Sequence, residues 1–234
     1  MAVYGISDLH LSFSVDKPMN VFGKVWNDYE ERIKQNWINT VKPDDYVIIA
    51  GDISWATYLT DAIKDFDYIN NLPGNKIILK GNHDYYFDTK TKQEQFFKDN
   101  NINNIQILQN VAIDTDEYII CGARGWGETD DSSKDDEKLI KREAIRLKLS
   151  LIEGDKLRKK YLEKGINKDI IVAMHFPPYI VNEFKSLLEE FKVKKCIYGH
   201  LHGYGHSKVK QGIIDGVEYV MVSCDYTDFN VVKL

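Results

Sequence analysis

Two kinds of apolar pattern alternate along the first eighty residues. The runs VYGIS (3–7), YVIIA (46–50) and KIILK (76–80) are continuously apolar over most of their length, as in strands buried on both faces. Between the first two, Trp26, Tyr29, Ile33 and Trp37 recur at steps of three and four, which places them on one face of a helix. Ala62, Phe66 and Ile69 do the same ahead of the turn-forming NLPG. A strand, helix, strand, helix, strand order predicts a parallel sheet core, because parallel neighbours need a crossover.

The pattern then changes. NIQILQN, VAIDTDEYIICGARG and GIIDGVEYVMVSCDY read as strands and hairpins, with DTDE and DG supplying turn chemistry. DIIVAMH (169–175) and KKCIYGH (194–200) return to the buried-strand pattern, separated by a helical VNEFKSLLEEFK. A long helical region over about residues 135–164 carries Ile140, Ala144, Leu147 and Leu151 on one face, and Gly154 is expected to break it. The acidic DDSSKDDE ahead of it reads as a solvated helix N-terminus, where acids complement the macrodipole. No repeat or linker divides the chain, so the expectation is one α/β domain over 1–234 with two mixed sheets.

Composition narrows the class of function. At 234 residues and 43% hydrophobic content, the chain can bury a sizeable single core. A net charge of -5 gives no global attraction to phosphate backbones, so nucleic acid is not the favoured partner. Cys121, Cys196 and Cys224 are odd in number and widely spaced, which suits free buried thiols in a reducing compartment. The opening MAVYGISDLH leaves no room for a secretory leader and no run approaches a membrane span, so a cytoplasmic protein is expected. Nothing in the pattern selects an oligomeric state.

The chemistry gathers at the strand ends. Asp8 and His10 follow the first strand, Asp52 the second, and Asn82, His83 and Asp84 the third. His175 ends DIIVAM, and His200 and His202 end KKCIYG. Ligands of open α/β sheets bind beyond the carboxyl ends of the strands, so these residues are expected to converge, leaving His206 as a solvated loop histidine. Imidazole, carboxylate and amide donors without thiolate suit Mn, Fe, Co, Ni or Zn. Seven candidate ligands exceed the needs of one ion with an open position, which points to two. A shared carboxylate holds such a pair roughly 3.5 to 4 Å apart, where they clamp an in-line displacement at phosphorus and acidify a bridging water. If HLH is extended, His200 and His202 point to the same side.

The order D-x-H, G-D, G-N-H-D, lone H, G-H-x-H over residues 8 to 202 resembles the calcineurin-like metallophosphoesterases. Each motif is weak alone; five in order, each after a strand, are specific. The resemblance implies a four-layer α/β/β/α sandwich with a dinuclear site. In it Asp8, His10 and His202 hold one metal, Asn82, His175 and His200 the other, and Asp52 bridges them. It also implies hydrolysis of a phosphodiester or phosphomonoester by metal-bound hydroxide, with His83 protonating the leaving oxygen and Asp84 orienting the His83 ring, as well as capping the next helix. GDISWATY lacks the second acid and the arginine of G-D-x-x-D-R, and KGNHD replaces R-G-N-H-E. Both departures argue against a Ser/Thr protein phosphatase and toward the phosphodiesterase-like branch. Arg124 in GARGWGE is a candidate substitute phosphate contact, joining Asn82 and His83 as substrate-binding residues. The aromatics of SFSVDKPMNVFGKVW either line a substrate pocket or pack the first helix. Two other readings are a catalytically silent scaffold for protein partners, whose signature would be missing ligands, and a nuclease, which the acidic balance disfavours.

Overall fold

In the computed structural model, residues 1–127 and 134–234 are described. Four parallel strands, β1 (Val3–Ile6), β2 (Tyr46–Ile49), β3 (Asn75–Ile78) and β4 (Ile105–Ile107), form the first sheet in that order. The last strand of the chain, β11 (Val232–Lys233), closes its edge antiparallel to β1. The second sheet has the order β5-β6-β7-β8-β10-β9. It comprises β5 (Ile113–Asp114), β6 (Tyr118–Ala123), β7 (Asp169–Met174), β8 (Lys195–Tyr198), β9 (Gly212–Ile214) and β10 (Val217–Met221). Its parallel centre is flanked by two antiparallel hairpins, β5-β6 and β9-β10. Both sheets are mixed, as the change of pattern along the chain predicts.

Strand periodicity explains why the core runs are apolar throughout. Val47 and Ile49 of β2 face the helices α1 (Tyr29–Thr40) and α2 (Ile63–Asn70), where they meet Ile33, Trp37, Phe66 and Ile69. The intervening Ile48 faces the other sheet, with Ile77, Ile171 and Ile197. Strand β7 does the same in mirror image. Ile170 and Val172 pack under α4 (Lys134–Leu162) and α5 (Asn182–Glu190), while Ile171 and Ala173 enter the space between the sheets. Three apolar layers between four layers of structure make this an α/β/β/α sandwich.

Two local features depart from the sequence pattern. The helix α3 (Lys90–Asp99) lacks a continuous apolar stripe, burying only Gln93 and Phe97, and its start is set by the Thr89 side chain accepting from the Lys92 N–H. Gly154 does not break α4, which runs through it to Leu162. A Cβ at this position would lie 2.3 Å from Cys121 Sγ on β6, so the glycine lets the helix lie close on the sheet. Helix propensity alone would make Gly154→Ala stabilising by about 1 kcal/mol. The contact with β6 reverses the sign, and an overall loss of about 1–3 kcal/mol is expected. A urea unfolding midpoint at or above that of the unchanged protein would remove the packing explanation.

Of the acidic stretch, residues 130–133 lie outside the described residues, while Asp135, Asp136 and Glu137 occupy the first turn of α4. All three cysteines are free and buried. No helix among the described residues is long and apolar enough to cross a membrane.

Candidate metal centre

The two sheets meet where their strands end. Ser7, just past β1, bridges to Ser223 past β10, with the Ser7 N–H donating to the Val222 carbonyl at 2.8 Å. This junction brings Asp8 of the first sheet to the histidines of the second. The backbone turns sharply there: Asp8, His10, Asp52 and His200 all lie at positive φ, between 47° and 73°. Such conformations cost a side-chain-bearing residue roughly 1–3 kcal/mol each and persist where the surroundings impose them. His200 is therefore not in an extended segment, and the simple alternation expected for HLH does not apply.

Two groups of donor atoms result. In the first, His202 Nε2 lies 3.2 Å from Asp8 Oδ1 and 3.4 Å from His10 Nε2. In the second, Asn82 Oδ1 lies 2.7 Å from His175 Nε2 and 2.9 Å from His200 Nδ1. Asp52 stands between them, its Oδ2 3.4 Å from His175 Nε2 and 3.9 Å from His10 Nε2. Ligand atoms of Asp8, His10 and His202 lie within 4.8 Å of one another, as do those of Asp8, Asp52 and His175. All seven candidate ligands are thus brought together.

The outer contacts aim these atoms. His175 Nδ1 lies 3.0 Å from the Ala50 carbonyl; donating there leaves Nε2 as the free lone pair. Asp8 accepts at Oδ2 from the Ser223 hydroxyl at 2.8 Å and the His200 N–H at 3.0 Å. His202 Nδ1 lies 2.8 Å from Asp225, a residue no motif signalled because it sits past β10 in the unremarkable SCDY. The same carboxylate lies 3.3 Å from His206 Nε2. His206 is accordingly half-buried beside Asp225 and Tyr226 instead of solvated in a loop.

Asp84 and His83 do not interact as expected. The Asp84 carboxylate accepts from four backbone N–H groups, Asp52 (2.9 Å), Ile53 (2.8 Å), Ser54 (3.2 Å) and Gly81 (2.7 Å). It clamps the loop after β2 to the loop after β3, and Thr89, not Asp84, caps α3. The loops approach so closely that a Cβ on Gly81 would lie 2.0 Å from Asp52 Oδ1. His83 Nδ1 is buried without a hydrogen-bond partner among the described residues, and the ring is flanked by Trp55 at 4.6 Å. Its main-chain N–H donates to Asp52 Oδ1 at 2.8 Å.

Arg124 directly follows β6, at the strand end where it is expected. Its carbonyl accepts from the N–H groups of His175 and Phe176, its guanidinium lies 3.5 Å from Glu143 and 4.7 Å from the Trp126 ring, and its Nε is buried without a hydrogen-bond partner among the described residues. Its backbone steadies the end of β7.

The donor set fits divalent ions. Facing imidazole nitrogens around buried carboxylate and amide oxygens, with no thiolate, match the preferences of first-row transition metals. Electrostatics sets the pH dependence. Burial disfavours a charge on His175 and His202, but Asp52 and Asp8 outweigh it at His175, raising its pKa to about 9. Asp8 and Asp225 do so at His202, raising it to about 10. Burial instead lowers His10 to about 4 and, together with the neighbouring His175 charge, lowers His200 to about 3. Without metal, His175 and His202 therefore hold protons at neutral pH, and a metal ion must displace them. Metal affinity is expected to rise with pH until it levels near the upper of these values. Calorimetric titrations with Mn²⁺ in buffers of different ionisation heat should detect the released protons; a pH-independent affinity would contradict the assignment.

A family model described as calcineurin-like phosphoesterase matches residues 1–204. Among solved structures, a protein of unknown function from Aquifex aeolicus is similar over 99% of this chain and 95% of its own. It shares 17% identity at a TM-score of 0.50. The phosphopantetheinyl hydrolase of Mycobacterium tuberculosis is similar over 100% of this chain and 95% of its own, with 14% identity and a TM-score of 0.53. At these identities the likeness is one of fold. No curated protein sequence matches at a significant level.

Proposed function

Because the chain belongs to the calcineurin-like phosphoesterase family, we propose that its strand-end cluster holds two divalent ions and hydrolyses a phosphodiester or phosphomonoester of a small molecule. The observation that carries this reading is the position of Asp52, whose Oδ2 lies within 4 Å of one imidazole from each donor group. Asp8, His10 and His202 would hold one ion, Asn82, His175 and His200 the other, with Asp52 shared. When bound, the pair supplies Lewis-acid polarisation of a phosphoryl oxygen and a water acidic enough to react at neutral pH.

The protein's own residues do the rest. Asp225 and the Ala50 carbonyl hold the His202 and His175 rings in the orientation that presents Nε2. Asp84 keeps the loops carrying Asp52 and His83 in register. His83 hydrogen-bonds to the donor cluster through its main chain, and its half-buried ring, edge-on to His10 at 5.7 Å, is the group that would give a proton to the departing oxygen. Arg124, whose guanidinium is held by Glu143 and the Trp126 ring, would extend the site as a phosphate contact in this reading. The three buried free thiols suit a reducing cytoplasm, and a single domain over residues 1–234 accounts for both sheets.

The test is metal-restored turnover. After chelator stripping, neither an activated phosphodiester nor its monoester counterpart should react; after Mn²⁺ is added, one of them should. The preferred ester then assigns the branch. Two bound ions with no turnover of either ester would count against the hydrolase. A protein that binds no metal would return the scaffold reading.

A further inference from the structure

A cleft of about 380 Å³ opens beside the metal centre, with His10, His83 and His202 along its inner side. One wall comes from the segment between β1 and α1, which coils through two 3-10 turns, Met19–Phe22 and Lys24–Trp26. Another comes from the turn that begins at Gly203, directly after His202. Trp55 and Trp26 frame His10. Trp55 is stacked on the imidazole at 4.9 Å and 21°, and Trp26 lies edge-on at 6.1 Å.

The core accounts for some of these aromatics and not for others. Trp26 also packs against Tyr29 and Phe229, so folding alone explains its place. Phe13 leaves the cleft and packs on Tyr68. Phe22, Val25 and Tyr204 line the cleft yet are 68%, 46% and 100% exposed. Single exposed apolar side chains are ordinary, but three around one cavity that adjoins a reactive centre form a patch with a use. The described residues of the lining include no lysine or arginine, and the one carboxylate, Asp225, is already engaged with His202 and His206.

We propose that this cleft takes an uncharged aromatic or apolar ester group of the substrate while the phosphate occupies the metal centre. The proposal rests on the phosphoesterase reading for the phosphate and adds what is attached to it. Covalent geometry places the carbon of an ester group two bonds from phosphorus, and the cleft is lined by His10 and His202 of the candidate metal centre together with His83. Its volume lies in the range of small-molecule sites and leaves room for a bicyclic ring or a short branched chain. A second anionic group there would lose its hydration without gaining a cation, so polyphosphates and oligonucleotides are disfavoured.

Non-hydrolysable phosphonates test this without a leaving group. Calorimetric titration of the Mn²⁺-loaded protein should show naphthylmethylphosphonate binding about tenfold or more tighter than methylphosphonate. A carboxylate on the ring should erase that advantage. Phe22→Ser and Tyr204→Ser should each shrink it, whereas Val21→Ser, 70% exposed and outside the lining, should not. Equal affinities for the two phosphonates, or a gap unmoved by Phe22→Ser and Tyr204→Ser, would overturn the proposal. Hydrolysis of nitrophenyl esters, followed in parallel, separates the two readings. Turnover without a naphthyl advantage removes the cleft proposal alone. A naphthyl advantage without turnover supports the apolar cleft and removes the hydrolase.

Discussion

Asp52→Asn is expected to leave a folded protein whose turnover falls by at least about a thousandfold, a loss of about 4 kcal/mol of transition-state stabilisation. The carboxylate has two jobs. Its Oδ2 faces His175 and His10 from between the donor groups, and its Oδ1 accepts from the His83 N–H. An asparagine amide can reproduce one of these oxygens. It cannot offer a second oxygen or the negative charge that two cations would share. Metal content measured beside activity should show occupancy reduced with turnover. Wild-type rates in a sample holding two ions would refute the bridging role.

Asp84→Asn and His83→Ala form the second large pair, and they are expected to differ in kind. The asparagine must turn an NH₂ group toward two backbone N–H donors that now bond to a carboxylate oxygen. Two buried donors are left facing a donor, so stability should fall by about 2–4 kcal/mol. The rate should fall by the same factor for good and poor leaving groups, because the loops move together. His83→Ala should keep fold and metals and slow poor leaving groups most, by about 10²–10⁴. Urea unfolding and a leaving-group series distinguish the cases. If Asp84→Asn kept full stability and slowed only poor leaving groups, Asp84 would act through the His83 ring after all.

The difference between these residues shows where sequence reading reaches its range. Asp84 stands in GNHD beside His83, and adjacency suggested that one carboxylate orients the neighbouring ring or caps the following helix. Its four partners instead belong to residues 52–54 and 81, and three of them lie about thirty positions upstream. Gly154 was equally opaque. A glycine inside a helical pattern reads as a break unless one knows that Cys121 Sγ lies against it. Asp225 and His206 carry no motif; Asp225 reaches His202 because β10 pairs parallel with β8, beyond whose end His202 lies, and His206, four residues after His202, meets the same carboxylate. The helix α3 escaped for a simpler reason, since a helix that buries little has little periodicity to read.

By itself the sequence determined the strands other than the short β11, the order of their crossovers and the choice of seven candidate ligands. These are local properties: an apolar run buried on both faces names its strand, and the polar residue that follows must lie at the strand's end. The tertiary structure alone decided which side chains hold those ligands in place, why Gly154 sits inside α4, and what surrounds the centre. Each of these depends on contacts between segments distant in the chain, and their distances follow from how the two sheets cross. The sharp turns at Asp8, His10, Asp52 and His200 belong to both accounts. Their residue types are written in the motifs, but the left-handed backbone that brings them together is imposed by the packing around it.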